Sequence, residues 1–262
     1  MQIQLIRNAT LRINYAGKQF VIDPYLAAKH SLPSYTGASP NPLVELPVPA
    51  ESVIAGAEMV VVSHLHSDHF DAEAARLLPK ELEIYCQPGD EAEIAGKGFS
   101  NVKAVAEKLE WQGMRITCTE GQHGSGSVLA DMGKVSGFVF EAEGEPTVYW
   151  VGDSIWYPAV AKTIERFKPD VIVTHSSGAM WGDSVLIVMN AAQTVEVCRA
   201  APKSVVVATH MEALDHGTVS RKALRDYAEG QGVSAEQLLI PTDGVQFGGA
   251  KLTRRKLSFP HD

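Results

Sequence analysis

The chain has 262 residues, 45% hydrophobic and 21% charged, enough to bury a substantial core and ordinary for a globular protein. Its formal net charge is −8 and it has no basic stripe, which argues against nucleic acid as a partner because phosphate contacts need concentrated Lys and Arg. No apolar run approaches the roughly 20 residues of a membrane crossing, the start lacks a signal-peptide pattern, and Cys86, Cys118 and Cys198 are too scattered for a disulfide framework, so a cytoplasmic chain without membrane association is expected.

In chain order, the pattern first predicts short strands at Ile3–Arg7, Thr10–Tyr15 and Gln19–Asp23. Residues 27–53 carry five prolines and almost no periodicity; a loop this long inside a compact domain reads as a flap beside a functional site. Glu58–Ser63 follows as a buried strand and Ala72–Leu78 as a helix that Asp71 caps. Further strands are predicted at Glu83–Cys86, Met114–Thr119, Ser136–Glu141 and Thr147–Val151. The second half alternates strands in Asp170–Thr174, Ser204–Thr209 and Gln237–Thr242 with helices at Ala159–Phe167, Ala191–Ala200 and Ser220–Glu229. The one basic cluster, Lys251–Lys256, solvates a late strand. A β-rich opening, a βαβ-like ending and no linker between them predict a single α/β (α+β) domain over residues 1–262, with two mixed sheets face to face and helices outside.

The informative stretch is Glu58–Leu78, EMVVVSHLHSDHFDAEAARLL, which gathers three of the nine histidines and two aspartates between His64 and Asp71. His64 and His66 are two apart at the end of a strand, so an extended backbone points both side chains the same way. Asp68 and His69 occupy the turn into the helix, where adjacent side chains diverge toward a neighbouring point. The strand end can thus offer two nitrogens to one cation and the turn an oxygen and a nitrogen to a second; core packing explains such a cluster poorly, because each imidazole would need its own buried partner. Two cations need more donors. His123 follows the strand Met114–Thr119 among small residues, and Asp153 follows Thr147–Val151 after a glycine, where its two oxygens could bridge. Two strands then end alike, in His175 and in His210, and spacing does not choose between them.

The run Ser63–His69, SHLHSDH, resembles the HxHxDH signature of the metallo-β-lactamase fold, and His123, Asp153 and His210 follow in the order of that family's later ligands. The likeness extends from FVIDP to IPTDG and is nearest to the ascorbate-6-phosphate lactonase-like metal-dependent hydrolases, a cytoplasmic branch. It implies a four-layer αββα sandwich and selects His210 over His175 as the last ligand. By resemblance, His64, His66 and His123 hold one metal, Asp68, His69 and His210 the second, and Asp153 bridges, with Asp68 and His210 also the catalytic candidates. It also carries the expectation of a homo-oligomer.

An imidazole and carboxylate donor set suits several divalent metals; two Zn2+ are the default and Mn2+ the main alternative, since the lactonase branch uses it. Such a centre lowers the pKa of a bound water to give hydroxide, polarises a carbonyl or phosphoryl oxygen, and leaves Asp68 to orient the nucleophile and carry its proton. The reading is therefore a binuclear hydrolase cleaving an ester, lactone or phosphoester bond of a small, anionic metabolite. Asp23 is the candidate for orienting an imidazole, and His175, Trp181, Met180 and Trp156 for the pocket, with core packing the alternative for at least one tryptophan. Asp215 or Thr218 reads as a helix cap and Asp243 as a turn residue before Gly244. The alternatives are a mononuclear iron sulfur dioxygenase, whose site needs only two histidines and one aspartate, and a nuclease or phosphodiesterase of the same fold.

Overall fold

In the computed structural model, which describes residues 1–182, 184–249 and 252, the chain opens with β1 (Gln2–Arg7), β2 (Thr10–Tyr15) and β3 (Lys18–Ile22). After the proline-rich segment come α1 (Ala50–Ile54), β4 (Met59–Val62), α2 (Ala72–Leu77), β5 (Glu83–Cys86), α3 (Glu91–Gly96) and β6 (Val102–Ala104). The second half holds β7 (Lys108–Trp111), β8 (Met114–Glu120), α4 (Val128–Met132), β9 (Ser136–Ala142), β10 (Val148–Trp150), α5 (Pro158–Phe167) and β11 (Val171–His175). It closes with β12 (Met180–Trp181), β13 (Val185–Leu186), α6 (Ala191–Ala200), β14 (Val205–Thr209), α7 (Arg221–Gly230), β15 (Leu238–Leu239) and β16 (Gln246–Gly248).

Two seven-stranded sheets result, in the orders β16-β1-β2-β3-β4-β5-β6 and β15-β14-β11-β10-β9-β8-β7, and β12 pairs with β13 in a small hairpin. Both sheets follow one plan. Antiparallel strands lead into a parallel set, β3 to β6 in the first and β10, β11, β14 and β15 in the second. The halves correspond in topology although no repeat is visible in the sequence.

The parallel strands explain the unbroken apolar runs, since a strand covered on both faces has no polar side. In β4, Met59 and Val61 face the other sheet while Val60 and Val62 pack on the helical side with Val53, Ala74 and Ile94. In β14, Val205 and Val207 enter the intersheet core beside Trp150 and Phe138, while Val206 and Ala208 meet Val160, Val195 and Leu224 of α5, α6 and α7. This is the predicted four-layer αββα arrangement.

Several elements depart from the sequence reading. α1 forms at the end of the segment expected to be loop through residue 53, and α3, β6, β7, α4 and β16 were not expected. All are three to six residues long, too short to display a period. The strand expected over Gln237–Thr242 shrinks to Leu238–Leu239. The helix expected from Ser220 starts at Arg221, because Ser220 is its cap and accepts from the Ala223 amide at 3.1 Å. The cluster Lys251–Lys256, apart from Leu252, lies outside the described residues. No helix among the described residues is long and apolar enough to cross a membrane.

The roots of the proline-rich segment are tied down by a buried cation. The Arg7 guanidinium donates from Nη2 to the carbonyls of Tyr25 (3.0 Å) and Ala27 (2.8 Å) and from Nη1 to that of Val44 (3.1 Å). It also lies 4.7 Å from the centre of the Tyr25 ring. Burial pulls its pKa down, with Tyr25 and Asp71 opposing, but three carbonyl acceptors suit only the charged form. Replacing Arg7 with Met removes these bonds and strands buried carbonyls, so urea unfolding should lose about 3 kcal/mol with an unchanged m-value; a loss under about 1 kcal/mol contradicts the tether.

Candidate metal centre

The strands deliver their polar residues to one end. Asp23 follows β3, Ser63 and His64 follow β4, His123 follows β8, Asp153 follows β10, His175 ends β11, and His210 follows β14. Beyond the carboxyl ends of parallel strands is where open sheets leave room for ligands. The local backbone is bent to this purpose. Gly152 turns the chain at φ +72°, where a Cβ would sit 2.7 Å from the Ser136 carbonyl oxygen, and the next residue, Asp153, is thereby aimed inward. Asp23 and His210 themselves adopt φ +45° and +60°, a strained choice for non-glycine residues that concentrates at functional positions.

Three of the imidazoles are held by their outer nitrogen. Nδ1 of His69 pairs with Asp23 Oδ2 at 2.5 Å, Nδ1 of His64 with Ser63 Oγ at 2.9 Å, and Nδ1 of His123 donates to the Ile187 carbonyl at 2.8 Å. Asp23 is in turn fixed by the Ser63 amide (2.8 Å) and hydroxyl (2.7 Å). The inner Nε2 atoms then converge. Asp153 Oδ2 lies 3.2 Å from that of His69, 3.4 Å from that of His123 and 3.8 Å from that of His64. His210 Nε2 is 3.0 Å from Asp68 Oδ2, which is 3.4 Å from His69 Nε2.

Donor atoms of His64, His66, His123 and Asp153 all lie within 4.8 Å of one another, and so do those of His69, Asp153, His175 and His210. Asp153 belongs to both groups. Asp68 joins the second through its contacts to His69 and His210.

The electrostatics point to a missing positive charge. Asp23, Asp68 and Asp153 are all buried, and among the described residues no lysine or arginine pairs with any of them. Burial pushes Asp23 up. It opposes ionisation of Asp153 and Asp68 too, but His210, His69 and His123 around Asp153, and His69 and His210 around Asp68, hold both well below the carboxylate range. Burial, then His69 and His66, drives His64 well down, while burial of His69 is outweighed by Asp153, Asp68 and Asp23, which hold it well up. His64 Nε2 is buried with no hydrogen-bond partner. Nitrogen lone pairs and carboxylate oxygens that converge with too few protons between them are what a divalent cation satisfies. The donor set fits.

Every residue expected in the cluster reaches it. The ambiguity between His175 and His210 resolves in an unexpected way, because both arrive: His210 faces Asp68, and His175 pairs through Nδ1 with Asp153 Oδ1 at 2.6 Å. Burial pushes His175 down to about 4, against the pull of Asp153. Trp181 stands 46% exposed on the β12–β13 hairpin, and the Met180 amide donates to the His216 carbonyl. Trp156 instead packs against the core under α5 and α6, so packing accounts for it. Asp215 does not cap a helix; its carboxylate binds the proline-rich segment. Asp243 does turn the chain before Gly244 and also receives Arg221.

Sequence reasoning missed Asn8. Its side chain donates to the Asp68 carbonyl (3.0 Å) and carboxylate (3.2 Å), and its own carbonyl accepts from the His210 amide (2.9 Å), so one residue ties two halves of the site. In the sequence it is only an asparagine between two strands, a common turn residue. Tyr35 was missed as well; its hydroxyl lies 2.7 Å from Ser67 Oγ and 3.4 Å from Asp68 Oδ1.

Residues 18–211 match the model of the beta-lactamase superfamily domain. The chain belongs to the beta-lactamase superfamily. Within it, the UPF0173 protein YddR of Bacillus subtilis (strain 168) is 36% identical over 253 residues, covering 94% of this chain and 99% of that protein. A possible metal-dependent hydrolase from Veillonella parvula DSM 2008 superposes with a TM-score of 0.90 at 33% identity, over 94% of this chain and 98% of that one. An isothiocyanate hydrolase from Delia radicum gut bacteria gives 0.90 at 36%, over 95% and 99%. The αββα layers seen here are those of the superfamily fold.

The Asp23–His69 pair offers a direct test of the cluster as a cation site. Asp23→Asn keeps the shape but weakens the grip on Nδ1, so zinc or manganese affinity should fall about 10–100-fold in a competition titration with a chelator. An affinity equal to wild type would mean that Asp23 does not orient a ligand.

Proposed function

We propose that this chain, a metal-dependent hydrolase of the beta-lactamase superfamily, uses a two-cation centre to add water to the electrophilic carbon of a small, uncharged molecule. Isothiocyanates are the leading substrate class and lactones or esters the second. The observation that carries this reading is the sharing of Asp153 between two donor groups, one with His64, His66 and His123 and one with His69 and His210. On this reading the first group holds one cation, His69, His210 and Asp68 the other, and His175 steadies Asp153 through its 2.6 Å hydrogen bond. Zn2+ is the first choice of metal and Mn2+ the second.

Two divalent cations at this position would supply Lewis acidity to ionise water near neutral pH and polarise a carbon–heteroatom double bond. The protein supplies direction. Asp68 Oδ2 is anchored by Asn8 and His210, which leaves Oδ1 turned toward Tyr35 and the solvent side. From there Asp68 takes a proton from the attacking water and returns it to the nitrogen, sulfur or oxygen that accumulates charge as the new carbon–oxygen bond forms.

The surroundings favour an uncharged substrate over the anionic one expected from the sequence. A cleft of about 340 Å³ reaches His64 and His66 and is walled by Leu65, Pro88 and Met132. Its charges are Asp90, Glu93 and Lys134, with no surplus cation for a phosphate or carboxylate. Such a volume suits a small molecule. The near-complete coverage shared with the isothiocyanate hydrolase supports the first class, and the resemblance to lactonase-like hydrolases supports the second.

The deciding experiment loads purified protein with Zn2+ or Mn2+ and follows benzyl isothiocyanate, γ-butyrolactone, p-nitrophenyl acetate and bis(p-nitrophenyl) phosphate. Two metal equivalents should be needed for full turnover. Asp68→Asn should lower kcat by about 100-fold or more while metal remains bound. A fully loaded protein that hydrolyses none of these removes the reading, and oxygen uptake on a persulfide with one iron per chain favours the dioxygenase.

A further inference from the structure

The proline-rich segment carries a phenol to the mouth of the site. Residues Leu32 and Asn41 pair antiparallel and close a loop whose interior is gathered by one carboxylate. Asp215 accepts from the amides of Tyr35 (3.1 Å) and Thr36 (3.1 Å), the hydroxyls of Ser34 and Thr36, and the Asn41 side-chain amide (3.0 Å), and its own amide donates to Asn41 Oδ1 at 3.0 Å. At the centre of this clasp sits Tyr35. Its ring meets His216 edge-on at 4.9 Å between centroids, yet 45% of the residue is exposed.

The hydroxyl of Tyr35 is held by Ser67 at 2.7 Å and only loosely by Asp68 Oδ1 at 3.4 Å, a separation at the long end of hydrogen bonding. If the Ser67 hydroxyl donates to Tyr35 Oη, the phenol proton is free to turn to an acceptor above Asp68. A tyrosine is protonated at neutral pH and so brings a donor where Asp68 brings only acceptors. Five hydrogen bonds to Asp215 are a large investment in the position of one exposed loop, and the side chain they position over the carboxylate is this one.

We propose that Tyr35 is a substrate-contacting catalytic residue. Clasped over Asp68 by Asp215, it donates a hydrogen bond to the heteroatom of the substrate on which negative charge develops as water adds to the adjacent carbon. No proton leaves Tyr35; the donor stabilises charge in place, as preorganised donors do in acyl transfer. Asp215 is a positioning residue that acts through the loop. The proposal rests on the hydrolase reading for the chemistry but not for the contact itself.

The test compares wild type, Tyr35→Phe and Asp215→Asn after cobalt loading. The probe is thiocyanate, titrated against the visible cobalt bands. Tyr35→Phe should bind thiocyanate about fivefold or more weakly and lower kcat about 10–100-fold, with metal content and hydrogen exchange of residues 32–41 as in wild type. Asp215→Asn should speed exchange across residues 32–41 and weaken thiocyanate in the same direction. Unchanged thiocyanate affinity in Tyr35→Phe overturns the proposal. A wild-type protein that hydrolyses nothing removes the hydrolase reading, while the thiocyanate comparison still decides whether Tyr35 reaches a molecule at the mouth.

Discussion

The structure is organised around the cost of burying three carboxylates and five imidazoles together, with a half-buried His66 beside them. A buried carboxylate without a counter-charge is expensive, and Asp68 and Asp153 each lie within 3.6 Å of histidine nitrogens but pair with no lysine or arginine among the described residues. The imidazoles cannot all supply protons, since burial and mutual repulsion drive His64 and His66 toward the neutral form. The inner atoms of the cluster therefore suit divalent cations, and three of the outer ring nitrogens are tied so that their partners face inward. Ser63, Asp23 and the Ile187 carbonyl each occupy an Nδ1 and leave Nε2 pointing inward.

That demand explains features which packing alone does not. Both sheets place parallel strands side by side, and the residues after those strands come from opposite halves of the chain. His64, His66, Asp68 and His69 come from the first half, and His123, Asp153, His175 and His210 from the second. Asn8 binds Asp68 with its side chain and His210 with its carbonyl, so the first hairpin acts as a brace between the halves. Ligand binding to such a shared site stabilises the whole sandwich by mass action, because the unfolded chain has no preformed cluster. The strained φ of Asp23 and His210 is tolerated because the intersheet core behind them, with Trp150, Phe138, Val61 and Val207, allows the strand ends little movement.

What the sequence disclosed follows from how local each signal is. The HxHxDH run was legible because four donors lie within six residues and the strand before them is unbroken. The layers were legible from the apolar runs MVVV and VVVAT, which only a strand covered on both faces needs. His210 was separable from His175 only by resemblance, because both end equivalent parallel strands, and the fold duly brings both to Asp153. Asn8, Tyr35 and Asp215 stayed hidden for a different reason. Their partners are 60, 33 and about 180 residues away, and each looks locally like an ordinary loop residue.

The division between cluster and flap has a chemical consequence. Lewis acidity is indifferent to the rest of a substrate, so a bare two-cation centre would attack many activated carbons. On the proposed reading, selection falls to what surrounds the cluster, namely Tyr35 and His216 beside Asp68, Met180 against His216, and the Leu65, Pro88 and Met132 wall near His66. These groups are apolar or neutral donors. On the proposed reading they would suit a compact molecule whose polarity resides in one carbon–heteroatom bond. Discrimination of this kind is bounded, because one apolar contact changes binding by only about 1–3 kcal/mol, whereas a donor in the role proposed for Tyr35 would penalise a molecule that leaves it unpaired more heavily. Changes in the clasped loop should therefore redirect this site more readily than changes in its apolar wall.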